Sequence, residues 1–294
     1  MVSPQTVLIT GCSSGIGYEL LKLFDREPYR IVATALPCSC EQLASDPLVT
    51  RSSRICVRAL DIQDHDKASA IVRETEASIG PVDILINNAG ISYRSVVEDM
   101  TPKDELTQIA VNYLGPMHLI RECLPKMRER RGGRIINVSS VGGMMAMPTM
   151  ASYSASKFAL EGASESLWYE LKPWGIHVSL VRPGFINSIA FTKVHYSSRK
   201  SGGESSPEYD SHYGQMTKFV EKVMKKTPCT SRGVAKKIFK IAQAKRPALR
   251  YAGTPDARIF NFIRRILPRF LYHRLLYATL PKIDTWGPKK RLHD

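Results

Sequence analysis

The sequence predicts an α/β fold built on a doubly wound, mostly seven-stranded parallel sheet with helices on both faces. Two observations carry that expectation. Short apolar, β-branched runs alternate with segments whose apolar residues recur at helical spacing, the pattern of strands joined by crossover helices. Directly after the first run comes a glycine-rich turn, Thr10-Gly11-Cys12-Ser13-Ser14-Gly15-Ile16-Gly17, where the first strand of such a sheet meets its first helix.

Thr6–Thr10 reads as the first strand and Gly15–Glu27 as the first helix, followed by strands at Arg30–Thr34 and Ile55–Leu60. Asp66–Ile79 is a helix closed by Gly80-Pro81, Asp83–Ile86 a strand, and 101–130 a long helix that bends near Gly115-Pro116, where proline removes a backbone donor. Arg134–Ser139 is the fifth strand, apolar and β-branched between Gly132-Gly133 and Ser139-Ser140. In Ser152–Leu171 the residues Phe158, Leu160, Leu167 and Leu171 fall at helical spacings, and Pro173 with Gly175 ends that helix. Ile176–Val181 is the sixth strand and Ala248–Tyr251 the seventh. No internal repeat and no separate second domain are visible, so residues 1–256 read as one domain and 257–294 as a basic amphipathic extension.

A chain of 294 residues with ordinary composition can bury a sizeable core. No amino-terminal leader is expected, because Thr6–Thr10 runs straight into a glycine turn that cleavage would destroy. No apolar run reaches the roughly 18 residues of a spanning helix. The six cysteines show no Cys-x-x-Cys pair, which suits reduced thiols in a cytoplasmic compartment. Cys38-Ser-Cys40 reads as a plain loop and no metal site is expected. The net charge of +15 is unevenly placed: from Thr230 to Asp294 sixteen Lys or Arg face three Asp or Glu, while the first 229 residues are nearly neutral. A basic tail on a neutral body points to contact with an anionic surface.

Tyr153 and Lys157 lie one turn apart on one helix face, with Ser140 at the end of the preceding strand. A phenol with an ordinary pKa of about 10 is a poor acid/base at neutral pH, and a nearby ammonium favours its ionised form. One such charge at ~4 Å is worth about 4 kcal/mol at an effective dielectric of 20, roughly three pK units as an upper value. Taken alone, Tyr-x-x-x-Lys is more readily a solvated surface pair. The glycine turn adds a second signal, since glycines let backbone approach a pyrophosphate while a helix amino end offers unpaired N–H groups.

With Asp61-Ile62, Asn87-Asn88-Ala89-Gly90, Val111-Asn112 and Pro183-Gly184 in the same order, the chain resembles the short-chain dehydrogenase/reductase family over about residues 5–190. It is similar in detail to the 17-β-hydroxysteroid and retinol dehydrogenase branch. The resemblance implies a Rossmann fold and hydride transfer between a nicotinamide cofactor and a carbonyl or carbinol carbon. It implies Tyr153 as acid/base, Lys157 lowering its pKa and holding ribose, Ser140 bonding the substrate oxygen, and Asn112 holding a water. Cofactor contacts are implied for Thr10, Gly11, Ser13, Ser14, Gly15, Ile16 and Gly17, for Asp61 and Ile62 at the adenine, for Asn88, Ala89 and Gly90, and for Pro183, Gly184, Ile186 and Ser188. Bland readings remain for single residues: the Asn87–Gly90 run as a turn, Asp61 as a cap, Asn112 as a helix-bending polar residue.

An NAD site would carry an acid about 20 residues beyond the glycines, and here the chain reads Thr34-Ala-Leu-Pro-Cys38. Neither that acid nor a phosphate-binding arginine is present, so NADP(H) is favoured, with Ser13, Ser14 or Thr34 beside the phosphate, and NAD(H) stays open. The branch points to a lipophilic alcohol or ketone, with a lid at about 191–230 whose Ser197–Pro207 portion reads as mobile before a helical pattern through Met216, Phe219, Val220 and Val223.

At the carboxyl end Ile259, Phe262, Ile263, Ile266 and Leu267 form an apolar stripe opposite Arg258, Asn261, Arg264 and Arg265. Pro268 interrupts it and Phe270–Leu280 continues it. Residues 257–280 therefore read either as a segment lying peripherally on an anionic membrane or as a face packed on the fold or on a second subunit in a homodimer. Nucleic acid has less support, as no recognised motif accompanies the charge. A nucleotide-sensing or membrane-associated binding protein could reuse the fold, but would have no need to keep Asn112, Ser140, Tyr153 and Lys157 together.

Overall fold

The computed structural model describes residues 4–187 and 195–287. Its strands are β1 Thr6–Ile9, β2 Arg30–Ala35, β3 Ile55–Ala59, β4 Val82–Asn87, β5 Tyr93–Arg94, β6 Gly133–Val138, β7 Ile176–Arg182, β8 His195–Tyr196 and β9 Arg250–Ala252. Seven of them form one sheet in the order β3-β2-β1-β4-β6-β7-β9, with every pairing parallel. This is the seven-stranded doubly wound sheet that the alternation predicts. The last strand begins at Arg250 rather than Ala248, although Ala248 and Leu249 still lend their carbonyls to Ser179 Oγ and the Leu180 N–H.

Side chains along a strand point alternately to opposite faces, and both faces here are covered, so the strands are mostly apolar on both. From β1, Val7 and Ile9 enter a core with Leu20, Leu21 and Phe24 of α1 (Gly15–Phe24) and Val234, Ile238 and Ile241 of α10 (Ser231–Gln243). Leu8 points the other way, into a core with α4 (His65–Ser78), α6 (Gly115–Glu129) and α7 (Ala151–Leu171). Asp64 caps α4 by accepting the Lys67 N–H at 2.9 Å.

Two elements differ from expectation. Cys38-Ser-Cys40 lies on a helix, α2 (Pro37–Ala44), followed by α3 (Pro47–Arg51). Prolines at both helix starts supply φ without costing a bonded N–H, and all six cysteines are free. The 101–130 helix is three pieces: α5 (Pro102–Ile109), a π-turn at Ala110–Leu114, and α6. Pro116 has no N–H for the Asn112 carbonyl, so the ladder widens at Asn112, a distortion that recurs at functional sites.

The insert after β7 carries β8, a short α8 (Ser198–Ser201) and α9 (Asp210–Lys226). It is pinned rather than loose across 197–207. Asp104 accepts from the Ser198 N–H at 2.7 Å, and Asp99 accepts from Tyr213 Oη at 2.8 Å and the Ser206 N–H at 3.1 Å. Burial would raise the Asp104 carboxyl, but hydrogen bonds from Thr101 and Ser198 hold it below its ordinary value. The chain ends on α11 (Pro255–Ile266) and α12 (Arg269–Ala278). No helix among the described residues is long and apolar enough to cross a membrane.

Candidate active site

At the carboxyl end of β1 the chain turns through Gly11 and Gly15, with φ of 72° and 59°, conformations that cost a side chain strain. Gly17 is required for a different reason. A Cβ there would stand 2.1 Å from the Gly11 carbonyl oxygen and 2.8 Å from Asn88 Nδ2. No side chain caps α1 and no acid sits in its first turn, so its N–H groups and the exposed Ser13 and Ser14 face outward. Ile16 packs on the core behind them. Such a cradle suits a pyrophosphate.

Thr10 is fully buried, and its hydroxyl accepts the Asn88 and Ala89 N–H groups, each at 3.0 Å. Asn88 Nδ2 in turn donates to the carbonyls of Thr10 and Gly11 at 2.9 and 3.0 Å. These side chains are spent on clamping two loops together, a scaffolding role beneath the cradle. Asp61 accepts the Gln63 N–H at 3.0 Å, while Ile62 is 4% exposed and packs in the core. Thr34 is buried and its carbonyl accepts the Cys12 N–H. Beyond it α2 begins with no acid in its first turn, so the end of β2 offers helix N–H groups and no carboxylate.

Ser140, Tyr153, Lys157 and Asn112 are brought together by three elements: the end of β6, the start of α7 and the π-turn. A Cβ on Gly142 would meet the Tyr153 ring at 2.9 Å, with Ser140 Oγ 3.5 Å away. One on Gly90 would lie 3.1 Å from Asn112 Oδ1 and 3.5 Å from Lys157 Nζ. Asn112 is fully buried and makes three hydrogen bonds: Oδ1 accepts the Ile91 N–H, and Nδ2 donates to the Ile91 carbonyl and to Ser156 Oγ, all at 2.9 Å. A buried ladder behind it runs from Asn87 to Asn137 to Ser164, each step 2.8 Å, tying β4, β6 and α7 into one unit.

The electrostatics differ from the simple pairing of phenol and ammonium. Burial pushes the Tyr153 phenol above its ordinary value, with the Ser140 hydroxyl acting against it. Lys157 Nζ donates to the Val138 carbonyl at 3.0 Å, and burial lowers it from 10.5 to about 8, opposed by Glu161. Burial disfavours the charged form of each group, and it sets the direction of both shifts.

On the far side of Ser140 and Tyr153 is a cavity whose apolar wall is Met145, Met147, Met150, Phe185 and Val220. The open space left is about 30 Å³, room for a water or two. Gly184 lines this cavity. Its N–H donates to Thr254 Oγ1 at 2.8 Å, and a Cβ there would meet Asp256 Oδ2 at 1.9 Å. The Pro183 carbonyl accepts the Val141 N–H, and Ile186 is core. Ser188 lies outside the described residues, as do 191–194 of the expected lid. Sequence reasoning did not single out Arg94, Ser154 or the methionines of this wall. Their signal was weak, because a wall assembled from four separate stretches has no period. Among the described residues no cluster of His, Cys, Asp or Glu could hold a metal ion.

A glycine cradle at the end of β1, joined to a half-buried Ser and Tyr and a buried Lys beside an apolar cavity, defines a nicotinamide-dinucleotide oxidoreductase. The chain belongs to the short-chain dehydrogenase/reductase family: residues 5–198 match the short chain dehydrogenase family. It is 32% identical to a 3-ketodihydrosphingosine reductase of Bacteroides thetaiotaomicron over 249 residues, covering 85% of this chain and 87% of that one. It is 31% identical to human 17-beta-hydroxysteroid dehydrogenase type 1 over 84% of this chain and 77% of that protein. Among solved structures, a short-chain dehydrogenase from Streptomyces avermitilis superposes with a TM-score of 0.79 at 29% identity, covering 95% and 99% of the two chains. ElxO with NADP bound superposes at 0.67 and 26% identity, covering 85% and 98%. The protein is accordingly an NAD(P)-dependent dehydrogenase/reductase.

Proposed function

We propose that this enzyme interconverts a lipophilic ketone and its secondary alcohol, or a retinoid-type aldehyde and alcohol, using NADP(H). The observation that carries the reading is the placement of the Ser140 and Tyr153 hydroxyls at one end of a methionine-lined cavity, with Lys157 and the glycine cradle on the other side. When bound, the cofactor supplies or accepts the hydride. The protein's part is to hold and move a proton. In reduction, Ser140 Oγ and Tyr153 Oη donate hydrogen bonds to the carbonyl oxygen, and the Tyr153 proton passes to that oxygen as charge develops on it. Lys157, poised near pH 8, stabilises the phenolate left behind. Asn112 fixes the loop that carries Gly90 and the helix that carries Lys157. Favouring NADP(H) are the carboxylate-free end of β2, the amino end of α2 and the exposed Ser13 and Ser14. Fluorescence titration with NADPH and NADH tests this choice. Tighter NADPH binding supports it, and equal or reversed affinities overturn it. The same assay, followed by a panel of steroid, retinoid and acyl ketones read by NADPH absorbance, narrows the substrate.

We infer further that 1–256 is the catalytic unit, and that 257–280 attaches this cytoplasmic enzyme peripherally to anionic membranes. α11 turns Ala257 and Phe260 toward the body and points Ile259, Phe262 and Ile266 outward, 58%, 62% and 59% exposed. Phe270, Leu271, Leu275 and Tyr277 of α12 are exposed as well. The packing of this stripe on the fold, one of the two sequence readings, therefore has no support at those positions. Beside it Lys237, Lys240, Arg250 and Arg258 line an open cavity of about 340 Å³ suited to anionic headgroups.

A further inference from the structure

Among the described residues, one charged side chain lines the apolar cavity beside Ser140 and Tyr153. It is Arg94, which is 6% exposed and leaves Nη1 without a hydrogen-bond partner. Ser154, 4% exposed on the same wall, leaves its Oγ unpartnered too. Among the described residues Arg94 forms no ion pair. Tyr196 and the exposed Glu221 are the groups whose fields favour its charge, against a burial that lowers it. A guanidinium keeps its proton even so, and a buried cation without a partner is strongly disfavoured. The backbone around it is fixed: Arg94 pairs with Tyr196 across β5 and β8, and the Ser95 N–H donates to the Thr149 carbonyl at 2.7 Å. Ser95 is held again by Ser197 and Tyr213 at 3.1 and 3.2 Å. A side chain carried on so fixed a backbone, lining the catalytic cavity and lacking a counter-charge, is arranged to receive one from a ligand.

We propose that Arg94 and Ser154 form an anion subsite, and that the substrate is a lipophilic carbonyl or alcohol bearing a carboxylate or phosphate ester. This rests on the reading of the cavity as the place where carbonyl chemistry occurs. The methionine and phenylalanine wall takes the hydrocarbon, Ser140 and Tyr153 take the reacting oxygen, and Arg94 takes the anion. Burial strengthens such a charge-assisted contact and makes it discriminating, because an uncharged analogue leaves the guanidinium unpaired.

The test has a binding arm and a turnover arm, both on the full chain. In the first, calorimetry compares a medium-chain fatty carboxylate, the matching alkyl phosphate and the matching alcohol. The parent protein should bind at least one anion about tenfold or more tighter than the alcohol, and the stronger anion identifies the headgroup. Arg94→Met should erase that preference while leaving alcohol binding unchanged, Arg94→Lys should keep part of it, and Ser154→Ala should weaken it several-fold. Equal binding of anion and alcohol by the parent overturns the proposal. So does a preference that survives in Arg94→Met, which would place the anion on the basic tail. In the second arm NADPH oxidation is followed with a keto acid, its methyl ester and an oxoalkyl phosphate. Arg94→Met should raise KM for the charged ketones and spare the ester; an equal loss on all three overturns the subsite. If the parent turns over none of them while the binding preference holds, the carbonyl reading fails and the anion subsite stands.

Discussion

Replacing Ile259, Phe262 and Ile266 together with serine should detach the enzyme from anionic vesicles without unfolding it. Fully burying a side chain of this size contributes about 1.5–3 kcal/mol, and these three are 58–62% exposed, with that fraction available for transfer. Scaling gives about 1–2 kcal/mol each, or roughly 3–5 kcal/mol for the three, a drop of about a hundredfold or more in partition. The fold should barely notice, because exposed positions cost within about 0.5 kcal/mol. The assay is flotation with phosphatidylserine vesicles at low and high salt, beside a thermal melt. The parent should float, and less so at high salt, as screening weakens the basic residues' attraction. A parent that stays in the soluble fraction at low salt, or a triple variant that floats equally well, refutes the reasoning. If instead the variant changes the parent from dimer to monomer in light scattering, the stripe is a contact with a second copy.

Gly17→Ala should abolish dinucleotide binding and cost about 2 kcal/mol or more, since its Cβ would stand 2.1 Å from the Gly11 carbonyl; unchanged NADPH affinity would contradict the cradle. Lys157 bears on pH. Its folded value near 8 lies below the ordinary 10.5, so between those values the unfolded chain holds the extra proton and stability rises with pH. The burial cost is fully present below about pH 8, and Lys157→Met should be more stable than the parent at pH 7 by up to about 3 kcal/mol. Urea unfolding should show that gap shrinking toward pH 10; a constant gap refutes the shift. Asp99→Ala removes the acceptor of the Tyr213 hydroxyl and the Ser206 N–H. It should raise KM several-fold with little change in cofactor affinity, and an unaltered KM would show that the pinned insert does not shape the cavity.

The sheet was legible because its strands are apolar on both faces and its helices have caps or breakers, as at Gly80-Pro81 and Pro173. The helix α2 was not, because its residues are polar and its only start signal is Pro37. The π-turn at Asn112 was half visible: Pro116 marks a break, but only the structure shows the ladder widening rather than bending. Within the site, glycines and the Tyr-x-x-x-Lys spacing are local signals. Thr10 and Asn88 illustrate the limit of such reading, since a motif fixes which residues belong to the site and not whether they touch the ligand or one another. The direction of the Tyr153 shift was missed for a related reason: a charge four residues away is visible in sequence, whereas desolvation by β6, α7 and the insert is a property of the assembled fold. Arg94 escaped because nothing in Ser-Tyr-Arg-Ser says that the arginine points inward.

The central claim is that Tyr153 exchanges the proton in an enzyme that binds NADP(H) independently of that exchange. Tyr153→Phe removes one oxygen atom from a ring held by Gly142 and the α7 backbone, so the cradle and Lys157 are left in place. NADPH titration and NADPH oxidation should therefore separate: affinity within about twofold of the parent, and turnover reduced by a factor on the order of a thousand, consistent with loss of a positioned acid/base. Retention of more than a few per cent of the parent's turnover, or loss of NADPH binding together with activity, would contradict it.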